Sequence, residues 1–447
     1  MASSSNLANK SRSWNENFWW ELPFWLGLLF WSLLPGTQII WFDIESVPIN
    51  IQDLVIIPVA FVYWLLPAGD RQPISLRKSW HYHLPILTFS LLLYAAISTT
   101  WSDMNAPRDT KAMLYTLILA VSGFSLGYHL IAKRSFESVR PFLWRVTVYL
   151  AAICLLYSAA SFLSLGVGDV RSDFNQRPSE FGIPRVAGPL FASSTGYFIL
   201  VPALAFAIQQ FIQSSTKRLF KLAVIFSLVL TNIGLGSRGG FVIAGTFLLL
   251  LVFFIKSKKQ AIVAVILMIL ATTAAAGLFF SKANTDRFQS LEDAGRSATY
   301  LTSFKIISNR SFEYNIPGSG YGSYWPWYIT DVEEVGAFNI GSSSITTKYG
   351  TILYQPHSTF LLLIVELGTV GLLFFLFLWN VLIRLLFKSS SSPIFACGVF
   401  ASGLSIFFDC FLFKNAQVNI IWWIFLFGAL ALNSDLNPNR LHRNYKS

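Results

Sequence analysis

Long apolar runs alternate with short basic connections along nearly the whole chain. A helix needs about 20 apolar residues to cross a bilayer. Twelve runs qualify: 22–41, 51–68, 84–101, 112–132, 142–166, 188–212, 219–236, 239–255, 260–281, 358–387, 393–412 and 417–433. The pattern predicts an all-α polytopic membrane protein with about twelve transmembrane helices. It is weakest in the first run, interrupted by Pro35-Gly36, and in the last two, separated only by Phe413–Ala416. Residues 1–281 then carry helices one to nine, 282–356 a loop domain with short helices, 357–433 helices ten to twelve, and 434–447 a polar tail.

Two polar stretches are long. One is Gly166–Pro189 and the other, Lys282–Pro356, is the largest soluble piece of the chain. Within the second, Leu301, Phe304 and Ile307 recur at i, i+3 and i+6, which predicts an amphipathic helix over Ser297–Asn309. A glycine-rich turn region follows at Asn315-Ile316-Pro317-Gly318-Ser319-Gly320-Tyr321-Gly322-Ser323. Trp325, Trp327 and Tyr328 come next, side chains suited to a carbohydrate or a lipid headgroup. Loops of this length are commonly functional. No internal repeat is present, and low complexity is confined to Ser389–Ser392, a short linker.

Composition agrees with the pattern. Apolar residues make up 54% and charged residues 12%, about half the charge of a soluble domain. Phe, Trp and Tyr are abundant, as where aromatic rings sit at headgroup level. Cys154, Cys397 and Cys410 all fall within apolar runs and read as small core residues, with neither a disulfide framework nor a zinc spacing. Lys10 and Arg12 precede the first apolar run and no small-residue cleavage pattern follows, so that run reads as an uncleaved anchor. No nucleic-acid partner is expected.

The charges orient the chain. With the N-terminus inside, the inner connections hold Lys10/Arg12, Arg71/Arg77/Lys78, Lys133/Arg134/Arg140, Lys217/Arg218/Lys221, Lys256/Lys258/Lys259, Arg384/Lys388 and Arg440/Arg443/Lys446. That is the positive-inside pattern. Of the 22 carboxylates only Glu16, Glu21, Asp70, Glu137 and Asp435 fall on the inner side. Both termini are therefore expected in the cytoplasm.

Arginines on the outer face are then the exceptions. Arg238 stands in Gly236-Ser237-Arg238-Gly239-Gly240, between two apolar runs with almost no loop, where the glycines let backbone amides approach a ligand. Arg185 precedes the sixth run; Arg287 and Arg296 open the large loop, and Lys305 and Arg310 continue it. His357, at the end of that loop, is a titratable group that is costly to bury without a partner. Taken singly, each has a bland reading: a guanidinium snorkelling to lipid phosphate, a solvated loop charge, an imidazole bonded to a loop carbonyl. Together on one face they make a site for an oligo-anion at the membrane surface. A lipid-linked diphosphate carries its charge at that depth, and arginine binds phosphate oxygens bidentately. The reaction this suits is displacement at a sugar C1 by an acceptor hydroxyl, the departing diphosphate stabilised as its charge develops. A base beside the attacking hydroxyl adds about 10²–10⁴-fold, and His357 is the outer-face residue best able to serve.

At these residues the chain resembles the O-antigen ligase/polymerase family of bacterial membrane glycosyltransferases. The family's H-[S/N/Q]-x9-G-x-x-G signature is met by His357, Ser358, Gly368 and Gly371. Ser237-Arg238-Gly239 resembles its S-R-G element. Arg296 followed by Pro317-Gly318-Ser319-Gly320-Tyr321-Gly322 resembles its arginine, helix and P-x-G-x-G turn, and Arg185…Gly188 its R-x-x-G element. After the last, Phe191-Ala192-Ser193-Ser194 departs from the N-P-N-like stretch common in the family. The resemblance covers about 185–375 by motif and the N-terminal half by topology alone. It implies a GT-C-like fold with the large loop periplasmic between helices nine and ten. It also implies an undecaprenyl-diphosphate-linked glycan donor and metal-independent, inverting transfer at the periplasmic face of the inner membrane, with no cofactor. By motif position the resemblance implies His357 as the general base, Arg238 and Arg296 as diphosphate ligands, and Arg185 and Arg287 as assisting. Apart from the motif roles, Glu366 and Tyr321 are candidate supporting residues, Glu366 to orient a neighbouring polar group or pair with an arginine. The acceptor is a glycan, a lipid A core or another hydroxyl, and a chain-length regulator is a further expected partner.

Three alternatives stay open. The shared motifs do not separate a ligase from a polymerase or from the related branch that glycosylates protein; the complete histidine signature tilts the reading to ligase. Asp43-Ile44-Glu45 is a weak signal for a metal-dependent enzyme. A lipid-linked sugar transporter would place ionisable groups at midplane, whereas here they gather at one surface, with Glu366 and Asp409 the only carboxylates inside late helices; no G-x-x-x-x-G-K-[S/T] stretch occurs.

Overall fold

A computed structural model describes residues 4–33, 40–44, 47–65, 83–101, 110–134, 136–163, 186–191, 195–280, 296–322, 344–347, 350–353, 358–388, 391–409, 412–413 and 416–432. The chain is mostly helical. In order, α1 is Ser4–Leu33, α2 Ile51–Leu65, α3 His83–Ser98, α4 Thr110–Ala132 and α5 Phe136–Phe162. Then come α6, Tyr197–Gln213; α7, Arg218–Gly234; α8, Arg238–Phe254; and α9, Lys258–Phe280. After these follow α10, Arg296–Asn309; α11, Phe312–Asn315; α12, Thr359–Glu366; α13, Gly368–Lys388; α14, Pro393–Gly403; and α15, Ala416–Ala431. Two short antiparallel hairpins accompany them, β1 (Ile40–Ile44) with β2 (Val47–Asn50) and β3 (Ser344–Thr347) with β4 (Gly350–Leu353). The helix read over Ser297–Asn309 is α10, one residue longer at its start.

Among the described residues, three stretches are long and apolar enough to cross a bilayer: Leu114–Ala132, Glu137–Ser161 and Gly368–Lys388. The chain is accordingly an α-helical membrane protein. Six further helices are apolar but shorter, among them α6, α8 and α15. A helix apolar on every side belongs inside a bundle. Every residue of α15 is buried, as are Tyr197–Gln209 of α6. The neighbours follow from this: α15 lies along α4 and α6, and α14 along α6 and α8. Small residues permit the close approach; a Cβ on Gly398 would stand 2.2 Å from the Ala205 Cβ.

Four apolar runs differ from the helices they form. The first helix stops at Leu33, before Pro35-Gly36, and residues 40–44 turn into a hairpin strand. The sixth starts at Tyr197 rather than near 188, because Gly188 and Phe191 exchange backbone hydrogen bonds and close a tight turn. The run 393–412 is helical only to Gly403, then a 3₁₀ turn over Leu404–Phe407, so that the buried Asp409 lies beyond the helix. The run 358–387 is two helices, α12 and α13, divided at Leu367-Gly368, where Gly368 takes a left-handed φ of 56°.

Candidate functional site

The division between α12 and α13 organises the site. An α-helix leaves its last carbonyls and first N–H groups without internal partners. Here the glycine-rich turn after α11 supplies them. Ser319 donates its backbone N–H and its hydroxyl to the Val365 carbonyl, each at 3.1 Å, and Arg310 adds Nη1 at 3.1 Å. Gly320 N–H reaches the Glu366 carbonyl at 2.9 Å, and Thr369 N–H, opening α13, reaches the Ile316 carbonyl at 3.0 Å. The turn fits because its glycines bear no side chain. Gly318, Gly320 and Gly322 have φ of 73°, 90° and 88°, left-handed values that cost other residues free energy. A Cβ on Gly318 would lie 2.3 Å from the Glu366 carbonyl oxygen.

The fully buried Glu366 carboxylate accepts the Gly322 N–H at 3.0 Å. Tyr321 is buried as well. Its N–H donates to Ser98 Oγ at 2.9 Å, and its hydroxyl shares a hydrogen bond with Thr116 at 3.0 Å. Tyr94 donates to the Pro317 carbonyl at 2.8 Å. The turn is thereby tied to α3 and α4 as well as to the helix division.

At the other end of α12, Ser358 is the N-cap. Its hydroxyl accepts the Leu361 N–H at 3.2 Å, the arrangement by which serine satisfies a free donor. The same hydroxyl meets the Tyr300 hydroxyl at 2.7 Å, and Tyr300 donates to the Phe407 carbonyl at 2.8 Å. Thr359 donates both its N–H (3.0 Å) and its hydroxyl (2.8 Å) to the Asp409 carbonyl. The start of α12, the loop helix α10 and the end of the 3₁₀ turn thus meet at one point.

The start of α8 joins them. Ser237 caps it, its hydroxyl accepting Gly240 N–H at 3.3 Å. Arg238 is half-buried beside it. A Cβ on Gly239 would stand a tight 3.1 Å from the Tyr197 hydroxyl and in ordinary contact, 3.7 Å, with the Phe408 Cβ, so the start of α8 lies against the segment that holds Thr359. Val186 donates its N–H to the Gly234 carbonyl at 2.9 Å, bringing the chain next to Arg185 against the turn that precedes Ser237.

His357, Arg185 and Arg287 lie outside the described residues, and Arg296 is described only as the first residue of α10. Their immediate neighbours Ser358 and Val186, and Tyr300 one turn after Arg296, are the residues brought towards Arg238. Of the paired acids near the N-terminus, Asp43 lies in β1 and Glu45 falls outside the described residues. Sequence reasoning passed over Tyr300, Ser98, Thr116 and the carbonyls of Phe407 and Asp409. Tyr300 carried one usable signal, standing four residues after Arg296 and therefore on the same face of the expected helix; the others are contacts across the bundle. No family model, curated protein or solved structure matches this chain.

Proposed function

We propose that the chain is a membrane glycosyltransferase that moves a glycan from an undecaprenyl-diphosphate donor to an acceptor hydroxyl, of the O-antigen ligase type. In this reading the fold has twelve spans and is GT-C-like, both termini are cytoplasmic, and the site faces the periplasm of the inner membrane. The observation that carries it is the meeting of three chain segments, those bearing Arg238, Tyr300 and Ser358, through Phe407–Asp409. Each segment also carries or adjoins a residue with the chemistry of diphosphate displacement.

The acceptor hydroxyl gives its proton to the His357 imidazole as its oxygen bonds to the donor sugar's C1. The C1–oxygen bond to diphosphate breaks on the opposite face, inverting the anomeric centre. The electron pair leaves with the lipid diphosphate, whose charge Arg238 and Arg296 hold, with Arg185 and Arg287 alongside. Such stabilisation is worth most in a site shielded from water. Glu366 and Tyr321 act one step back, fixing the turn that carries the loop.

Complementation tests it. Strains lacking an O-antigen ligase or a polymerase receive the wild-type chain, His357→Ala or Arg238→Ala. Capped lipopolysaccharide in the ligase-deficient strain, lost with either variant, is the expected result. Laddering restored only in the polymerase-deficient strain would reassign the acceptor. Full function of both variants would overturn the site.

A further inference from the structure

A second charged cluster lies away from this site, where α4 ends and α5 begins. Glu21 of α1 accepts two guanidiniums on one oxygen: Arg134 Nη1 at 2.7 Å and Arg145 Nη2 at 2.5 Å, both to Oε1. Its other oxygen takes the Trp25 indole N–H at 2.8 Å. The Glu21 and Arg134 side chains are 3% and 1% exposed, whereas Arg145 is 39% exposed. Arg134 also lies 3.7 Å from the Phe142 ring centroid and 4.7 Å from that of Trp20, and its Nη2 has no hydrogen-bond partner. Lys133 joins the group, donating to the Tyr63 carbonyl at 2.6 Å. Burial works against the charge of both Lys133 and Arg134, with Glu21 favouring that of Arg134; an arginine stays protonated regardless.

One carboxylate therefore faces two guanidiniums. Uncompensated charge is costly in a low-dielectric setting, and Arg145 is the member that can reach a counter-charge. It stands about 12 Å along α5 from Glu137, where the crossing segment begins. At 100° per residue it shares a helix face with Ala152 and Leu156, both exposed, so this guanidinium is on a face turned towards lipid. We propose that Arg145, held by Glu21 and backed by Arg134, binds the phosphate of an anionic phospholipid headgroup beside the contact of α1 with α5. The site is independent of the glycosyl-transfer reading. Arginine suits it because its planar donors remain available in pairs after one has been given to Glu21.

The test uses the full chain, purified in neutral detergent, with phosphatidylglycerol, phosphatidylcholine or inorganic phosphate added. Bound lipid is counted by native mass spectrometry and stability followed by thermal unfolding. Phosphatidylglycerol should bind and raise the unfolding temperature where phosphatidylcholine does not. Arg145→Gln should weaken that binding about tenfold or more, the size expected for a charged hydrogen bond. Arg145→Lys should keep most of it, and Lys258→Gln, removing an exposed charge at the start of α9, should leave it unchanged. Protection by phosphatidylglycerol alone assigns a lipid headgroup, and protection by inorganic phosphate alone overturns that assignment in favour of the free anion. Phosphatidylglycerol binding that survives Arg145→Gln, or equal binding of both lipids, overturns the site.

Discussion

Replacing Gly368 by alanine should detach the glycine-rich turn from the helix division while leaving the bundle intact. Two costs act together. Gly368 has φ of 56°, a conformation about 1–2 kcal/mol less favourable for a residue with a Cβ. The new Cβ would also fall 2.5 Å from both the Asn315 carbonyl oxygen and the Gly318 nitrogen. These are backbone atoms that cannot swing aside, so the turn must move and lengthen the hydrogen bonds from Gly320 to Glu366 and from Thr369 to Ile316. Each is worth about 1 kcal/mol net. The turn should therefore open more easily by about 2–4 kcal/mol, which raises its amide exchange roughly 30- to 1,000-fold. Hydrogen–deuterium exchange followed by mass spectrometry, on peptides covering 315–322 and 366–371, reads this directly. Gly245→Ala is the control, because a Cβ there meets nothing within 4 Å. Exchange that rises no more in Gly368→Ala than in Gly245→Ala would refute the account of the turn as held by this glycine.

Tyr300→Phe removes the hydroxyl that joins Ser358 to the Phe407 carbonyl. It should cost about 1–3 kcal/mol and, on the proposed reading, lower glycan transfer at least tenfold with normal expression and detergent elution. Glu366→Ala leaves the buried Gly322 N–H without its acceptor, which costs about 1–3 kcal/mol. Glu366→Gln keeps an acceptor and should recover most of the loss, measured by thermal unfolding and by exchange at 319–322. Glu21→Gln leaves Arg134 buried without its counter-charge, about 3–5 kcal/mol. Removing both partners in Glu21→Leu/Arg134→Leu should be markedly milder than the single change, by unfolding temperature at fixed lipid.

The apolar runs were legible because burial in lipid or in a bundle demands them, and a helix occupies nearly all of the twelve. What the runs could not show is where a helix stops within an apolar stretch. Leu363–Phe375 reads as continuous in hydropathy, yet the chain divides at Gly368 because residues from the distant segment 316–320 bind the freed carbonyls. A local pattern carries no information about a partner some fifty residues away. Glu366 shows the same limit: its place in an apolar helix marked it as unusual, but only the fold reveals a backbone N–H as what it receives. The amphipathic pattern of α10 was read correctly as a helix and incompletely as a surface. Thr299 and Ser303 are buried while Leu301 and Phe304 are exposed, so the polar face turns inward, towards Ser358, and the apolar stripe outward. That inversion is normal where the surroundings are hydrocarbon or its boundary, and unreadable from spacing alone.

The spacing in the histidine signature then has a mechanical meaning. Ser358 caps α12, eight helical residues follow, and Leu367 leads into the left-handed Gly368. Three residues on, Gly371 lets α13 close over the Leu363 carbonyl, from which a Cβ would be 2.0 Å distant. The motif is thus a short rod about 12 Å long, with the cap held by Tyr300 at one end and the glycine-rich turn docked at the other. Both attachments come from the same loop, whose helix α10 and turn 316–322 grip opposite ends of α12. One residue more or fewer would rotate one end against the other by about 100°, so that cap and turn could not both engage. The nine intervening positions fix a distance and an angle rather than a chemistry; on the proposed reading, the chemistry is left to the histidine before the cap.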